Sequence, residues 1–360
     1  MYIKQLKLKS FRNYDDAVFD FSPRTNVIYG NNAQGKTNIL EAVYLFSQGR
    51  SHRTKTDREL ISFGEEFTRL SLAFADEKRD HTADMRITKT GRKSININHV
   101  PILKLSKLMS YLNVVMFSPE DLDLVKGSPN ARRHFMDSSL SQLYPAYLSS
   151  LIEYGKALNQ KNSLLKMLRA SGRTSDPTLS VWNEALAENA VKIMRARIDF
   201  IEQINVAAAA IQSEISGEKL KITYLPSIRS EELSKDAVLF YLAARERRET
   251  EMASSQYGIQ RDDLGVDING REAKLFASQG QQRTAALSMK IAQGEHIKKI
   301  RGEYPVLLLD DIMSELDINR RMYLSERIRD KQVLITSTDT DLIDKTTETK
   351  LFHIENGRII

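Results

Sequence analysis

The sequence contains no cysteine, which excludes disulfides, a thiolate nucleophile, a Cys-ligated zinc and an iron–sulfur cluster together. Histidine is scarce and scattered. His52, His81, His99, His134, His296 and His353 show no HxH or HxxxH spacing, so a histidine metal site has no support. No apolar run approaches the ~20 residues of a membrane span. The segment Met1–Ser10 interleaves Lys4, Lys7 and Lys9 with its apolar residues, unlike the apolar core of a signal peptide. A cytoplasmic protein with no membrane partner is therefore expected. Low-complexity tracts and internal repeats are also missing.

What is present is a chain of 360 residues, 41% hydrophobic and 28% charged, with a mean hydropathy of -0.40. Such a chain is soluble and globular, with room for one large domain or two or three ordinary ones. Its net charge of +6 and pI near 9.2 permit binding to a polyanion without requiring it.

The spacing predicts strands over Tyr2–Leu8 and Thr25–Tyr29, and then a helix carrying Ile39, Leu40, Val43, Tyr44 and Phe46. From Thr68 to Val100 the period falls to two, as in an antiparallel meander. A helical stripe follows from Leu140 to Leu158. After a breaker at Ala170–Pro177 a second stripe runs from about Thr178 to Ser216, ~58 Å at 1.5 Å per residue. Two long antiparallel helices forming a projecting arm are expected; an ordinary bundle is the alternative. Beyond them come a strand at Leu220–Leu225, a charged helix at Ala237–Glu251, and strands at Val306–Leu309, Val333–Thr336 and Leu351–Ile354. Strands alternating with helices at both ends of the chain indicate a parallel sheet with crossover helices.

Gly30 to Thr37 fit G-x-x-x-x-G-K-[ST], between an apolar strand and an amphipathic helix. Glycines there let consecutive N–H groups turn onto phosphates, Lys36 reaches the β and γ phosphates, and the Thr37 hydroxyl suits Mg²⁺. Such a loop needs a carboxylate at the end of another buried strand. Asp310 ends the run Val306–Leu309 and suits the metal, and Asp311 could polarise the attacking water. Alone, an acidic pair is as easily a solvated turn. Lys36 and Asp310 lie 274 residues apart, so most of the chain is inserted between two halves of one site. Ser278 and Gly280 open a further helix, where a hydroxyl, N–H groups and the helix dipole suit a γ-phosphate; a plain helix cap reads equally well.

With these residues assembled, the chain resembles ABC-type ATPases of the SMC class. The P-loop, Ser278-Gln279-Gly280-Gln281-Gln282, Asp310-Asp311 and Ser314-Glu315-Leu316-Asp317 carry the likeness. Ser10–Tyr14, Gly49–Arg53, Ala131-Arg132-Arg133, Gln260-Arg261-Asp262-Asp263 and Ala277–Thr284 narrow it to the bacterial DNA-repair members, over residues 1 to about 340. The resemblance implies an α/β fold: an ABC-type P-loop head with a mixed sheet, formed by 1–125 and 218–360, plus a helical arm-like insertion at 126–217.

It also implies roles. Gly30, Asn31, Asn32, Ala33, Gln34, Gly35, Lys36, Thr37 and Asn38 would cradle ATP, with Arg12 touching it. Thr37, Asp310 and Glu120 would face Mg²⁺; Glu120 lies in a segment doing the work of a Q-loop. Asp311, Lys36 and Ser278 would be catalytic. Ser278, Gly280 and Gln281 would meet the γ-phosphate held by a second subunit, and Ser278, Gly280 and Asp317 would lie at the homodimer interface. Thr338 stands near where a switch histidine belongs, and Gln260 where a histidine is expected. Arg50, Arg53, Lys55 and Arg58 have no interleaved aromatic, so they suit duplex phosphates better than stacked bases. A solvated basic loop fits these four residues equally well.

The implied activity is a slow, DNA-stimulated, Mg²⁺-dependent ATPase of recombinational repair and replication restart. ATP would drive dimerisation and clamping on duplex DNA near single-strand gaps, and mediators RecR and RecO would be partners. Two other classes compete. A transporter ATPase subunit would have its motif halves much closer together and would need a membrane partner. A structural SMC-like protein would need helices long enough to reach a hinge domain, which these are not.

Overall fold

The structure, a computed structural model, describes residues 1–230, 232–339 and 349–360. Packing divides them into two units. One comprises Met1–Leu122, Ile211–Gly217 and Arg283–Ile360, the other Asp123–Ala210 and Glu218–Gln282. In chain order the first stretch holds β1 (Tyr2–Phe11), β2 (Tyr14–Asp20), β3 (Thr25–Tyr29), α1 (Lys36–Gln48), β4 (Phe67–Ala75), β5 (Asp80–Thr88), β6 (Lys93–Ile97), β7 (Val100–Pro101), α2 (Leu105–Leu108) and β8 (Val114–Phe117). Next come α3 (Pro129–Leu143), α4 (Pro145–Ala170), α5 (Thr178–Ser216), β9 (Leu220–Leu225), α6 (Lys235–Ala243), α7 (Glu246–Met252), β10 (Asp263–Ile268), β11 (Arg271–Glu272), α8 (Ala273–Phe276) and α9 (Gln279–Arg301). The last stretch holds β12 (Val306–Asp310), α10 (Ile312–Glu315), α11 (Ile318–Ile328), β13 (Val333–Ser337), β14 (Lys350–Glu355) and β15 (Arg358–Ile359).

The first unit has two sheets. An antiparallel one, in the order β2-β1-β4-β5-β6-β7, buries alternate residues, as a sheet with one wet face does. The other is ordered β15-β14-β3-β13-β12-β8, and its neighbours from β14 to β8 run parallel. β8, β12 and β13 are continuous apolar runs because both faces are covered. A single core joins Leu6 and Leu72 of the first sheet, Ile28, Leu308 and Leu334 of the second, and Ile39, Val43 and Phe46 of α1. α1 stops where Gly49 takes φ 67° and returns its N–H to the Leu45 carbonyl at 2.8 Å.

α5 spans Thr178–Ser216, the range its stripe predicts, and its residues up to Ala210 belong to the second unit. The Leu140–Leu158 stripe is not one helix. It breaks at Tyr144, which takes φ -127° and ψ 98° ahead of Pro145, because a residue before proline is driven from the helical region. The expected helix at Ala237–Glu251 is likewise two, α6 and α7. Segment 218–282, grouped with the head in the sequence reading, packs within this second unit. Here β9 pairs with β10, and Arg132 forks onto Asp263 at 2.5 and 2.9 Å. Asp262 accepts from Arg197 at 2.7 Å and from Tyr224, and Arg197 also reaches Asp137 at 2.8 Å. Gln260 accepts from Tyr154 at 2.5 Å. The Ala131–Arg133 and Gln260–Asp263 motifs therefore meet in a part-buried ion pair beside the buried Arg197–Asp262 pair.

Candidate nucleotide site

The chain leaves β3 at Tyr29, turns through Gly30–Gly35 and enters α1 at Lys36. Gly30 and Gly35 take φ 146° and 110°. A Cβ on Gly30 would lie 2.3 Å from the Ile354 carbonyl, and one on Gly35 would lie 2.5 Å from the Asn13 side chain. Only glycine fits at either end of the loop. Between them Asn31, Asn32 and Ala33 are exposed. Gln34 is anchored from outside: its carbonyl accepts from Asn13 Nδ2 at 2.8 Å and Gly357 N–H at 3.2 Å, and its Oε1 accepts from Asn356 N–H at 2.6 Å. The turn between β14 and β15 thus braces the loop. Lys36 is 5% exposed, and its ammonium donates to the Gly30 and Asn31 carbonyls at 2.8 and 2.9 Å. Burial pulls its pKa below the ordinary lysine value, against the charges of Asp311 and Asp310.

Thr37 Oγ1 donates to Asp310 Oδ1 at 2.9 Å across 273 residues of sequence. The same Oδ1 accepts from Thr336 Oγ1 at 2.7 Å, and Thr336 Oγ1 accepts the Asp311 N–H at 2.9 Å. Burial raises the Asp310 pKa, and the two hydroxyls moderate that rise. Among the described residues, no three His, Asp or Glu side chains converge on a metal cage. A hydroxyl beside one carboxylate nevertheless fits Mg²⁺, which takes one or two carboxylates and completes its shell with water and phosphate oxygens. Glu120 is exposed in the turn after β8, and its charge acts on His52 and Asp121.

The sequence reading missed Glu41. It lies in the middle of α1 with no exposure and takes both arms of Arg12, Nε at 2.9 Å and Nη2 at 2.7 Å. Ser51 Oγ donates to it at 2.5 Å, and Arg53 Nη1 lies 3.7 Å away while donating to Asn38 Oδ1 at 2.7 Å. Burial alone would raise the Glu41 pKa; hydrogen bonds from Arg12 and Ser51, with the Arg12 and Arg53 charges, bring it below the ordinary value. Arg12, expected at the nucleotide, and Arg53, expected at DNA, therefore meet on the helix that follows the phosphate loop. A lone acid inside an apolar helix was the available signal. Arg50, Arg53, Lys55 and Arg58 are all exposed.

Ser278 is exposed and caps α9 reciprocally with Gln281: Ser278 N–H donates to Oε1 at 2.8 Å, and Gln281 N–H donates to Oγ at 3.3 Å. Gln281 Nε2 also reaches Glu218 at 2.5 Å. Gly280 falls in the first turn of α9. Asp317 caps α11, accepting from Arg320 N–H at 3.0 Å. Thr338 is exposed beyond β13, whereas Thr336, two residues earlier, is the hydroxyl at the carboxylates.

A phosphate loop on a parallel sheet, and a carboxylate strand two places along it from the far end of the chain, define an ABC-type ATPase head of the SMC class. Residues 2–359 match the family described as the RecF/RecN/SMC N terminal domain. The chain is 41% identical to the DNA replication and repair protein RecF of Clostridium botulinum (strain ATCC 19397 / Type A), over 100% of this chain and 99% of the relative. To that of Clostridium tetani (strain Massachusetts / E88) it is 42% identical over 100% of both. A solved structure of the recombination mediator protein RecF with ATP, in the RecFOR pathway, matches with a TM-score of 0.93 at 33% identity, covering 100% of this chain and 97% of that one. The chain belongs to the RecF family. Among the described residues, no helix is long and apolar enough to cross a membrane.

Proposed function

We propose that the protein is an ATP-dependent DNA-binding ATPase of recombinational repair and replication restart, acting in the cytoplasm. The observation that supports this most is the Thr37–Asp310 hydrogen bond beside buried Lys36, joining the two sequence halves of a phosphate site. Gly30–Asn38 cradle the triphosphate, and Lys36 neutralises its β and γ oxygens. Magnesium held by Thr37 and Asp310, with Glu120 facing it, would supply further charge neutralisation on those phosphates. Asp311 orients the attacking water. Ser278, Gly280 and Gln281 complete the partner's site in a homodimer, with Asp317 at the interface, Arg12 near the nucleotide and Thr338 near the γ-phosphate. Arg50, Arg53, Lys55 and Arg58 take duplex phosphates close to a single-strand gap. ATP closes the dimer on DNA and slow, DNA-stimulated hydrolysis opens it. RecR and RecO are the mediator partners, and the helices of 126–217 serve as an arm.

Duplex affinity is measured with ATP, ADP and no nucleotide, for the wild type and Lys36→Ala. ATP should tighten binding in the wild type alone. Replacing Arg50, Arg53 and Lys55 together should reduce the slope of log K against log salt by up to about 2.7, at roughly 0.9 per phosphate contact. Equal affinity in ATP and ADP would overturn the clamp.

A further inference from the structure

Thr336 lies two residues before the position where a γ-phosphate sensor is expected, and its hydroxyl is fully buried at the end of β13. It has one proton to give. The nearest acceptors are Asp310 Oδ1 at 2.7 Å and the Leu309 carbonyl at 3.5 Å, so the proton goes to the carboxylate. The oxygen in turn accepts the N–H of Asp311 at 2.9 Å. With no exposure, no bulk water competes for either bond. Asp310 Oδ1 thus receives two hydroxyls, from Thr336 and from Thr37, which fixes the carboxylate plane and leaves the lone pairs of Thr37 Oγ1 for a cation.

The second bond acts on backbone. Asp311 takes φ 50° and ψ 15°, a left-handed conformation that is unfavourable for a non-glycine residue and persists only where the surroundings hold it. Thr336 supplies part of that hold, because its oxygen binds the N–H of the residue that must be turned. The register of the parallel pair, with Asp310 opposite Thr336, brings the hydroxyl there without any loop rearrangement.

We propose that Thr336 is a positioning residue for hydrolysis, one hydroxyl that sets the Asp310 carboxylate and the left-handed Asp311 together so that metal and attacking water are held in register. This rests on the ATPase reading above. It differs from a general packing role because the phosphate loop makes no bond to Thr336: binding of ATP should survive its loss, and turnover should not.

Thr336→Val and Thr336→Ala remove the hydroxyl, and Thr336→Ser keeps it. Steady-state ATPase with Mg²⁺ varied, and ATP affinity by fluorescent-nucleotide competition in EDTA, are measured for each beside wild type and Lys36→Ala. Loss of a hydrogen bond to a charged group should lower kcat about tenfold to a hundredfold in the Val and Ala variants. More Mg²⁺ should be needed for half-maximal rate, ATP affinity in EDTA should stay within about twofold, and the Ser variant should turn over like the wild type. Wild-type kcat in Thr336→Val, equal loss in Thr336→Ser, or a parallel loss of ATP affinity overturns the positioning role. Insolubility of both hydroxyl-free variants beside a soluble Ser variant makes the hydroxyl a folding element and also overturns it. A wild type that neither binds nor hydrolyses ATP, indistinguishable from Lys36→Ala, instead refutes the ATPase reading itself.

Discussion

Glu41→Gln tests whether the carboxylate inside α1 holds the base of the phosphate loop by charge or merely by shape. Glutamine keeps the volume and one acceptor, but it turns a donor toward Arg12, whose Nε and Nη2 both point at the site. Breaking a fully buried ion pair by removing one partner costs about 3–5 kcal/mol. The Arg12 side chain keeps 20% exposure and can regain some water, so about 2–4 kcal/mol is expected. For a unit of roughly 200 residues that is a fall of about 5–15 °C in the calorimetric transition. The pH dependence separates the two readings. Because the folded pKa of Glu41 lies below its unfolded value of 4.5, its contribution is complete above the unfolded value and is lost as pH falls through the folded one. The gap between wild type and variant should be constant above about pH 6 and should close in acid below about pH 4.5. An unshifted transition at neutral pH, or a gap of the same size in acid, would refute the electrostatic account.

Gly357→Ala places a Cβ 2.1 Å from the Asn13 carbonyl at a φ of 72°, so the turn that braces Gln34 must move; ATP affinity by fluorescent titration should drop severalfold. Gly91→Ala, at φ 80° with nothing within 4 Å, carries similar backbone strain in open space and should bind ATP normally; equal affinity in the two variants would remove the brace from the argument. If the proposed homodimer builds each site from two chains, Asp311→Asn and Ser278→Ala should each be nearly inactive. Their equimolar mixture should recover roughly a quarter of wild-type ATPase, since half the dimers are mixed and each keeps one intact site. Turnover no higher than the sum of the two variants, with mixed dimers shown by cross-linking, would exclude assembly in trans.

The parts of this molecule legible in the sequence are those whose signal is local. Gly30 to Thr37 announce a phosphate loop because spacing and flanking elements suffice, and α5 is readable at both ends because breakers bound an unbroken stripe. β3, β12 and β13 stand out as short apolar runs for the reason that parallel strands are buried on both faces. The Tyr144 break escaped because the apolar stripe continues in phase across Pro145 and masks it. Thr336 and Glu41 escaped for a different reason. Thr336 is defined by Asp310 across a strand register, and Glu41, whose one local mark is an acid inside an apolar helix, by Arg12 in the turn after β1; no local period reports on such neighbours. The same holds for 218–282, whose membership in the second unit is decided by Arg132 and Arg197 meeting Asp263 and Asp262.

The order in which the ribosome delivers these strands has a consequence of its own. β3 carries the phosphate loop, yet its two neighbours in the sheet are β13, paired from Val333 to Ser337, and β14, paired from Lys350 to His353. For more than three hundred residues of synthesis the strand therefore has neither of its sheet partners, and Gly30 lacks the Ile354 backbone against which it is packed. The loop therefore cannot take the shape described above before β13 and β14 have been made. Such an arrangement ties nucleotide binding to the arrival of β13 and β14: ribosome-held chains stopped before Val333 should fail to retain fluorescent ATP, and chains with Ile359 beyond the exit tunnel should retain it. A phosphate loop that waits for β14 should hold no nucleotide until residues 350–355 have joined the sheet.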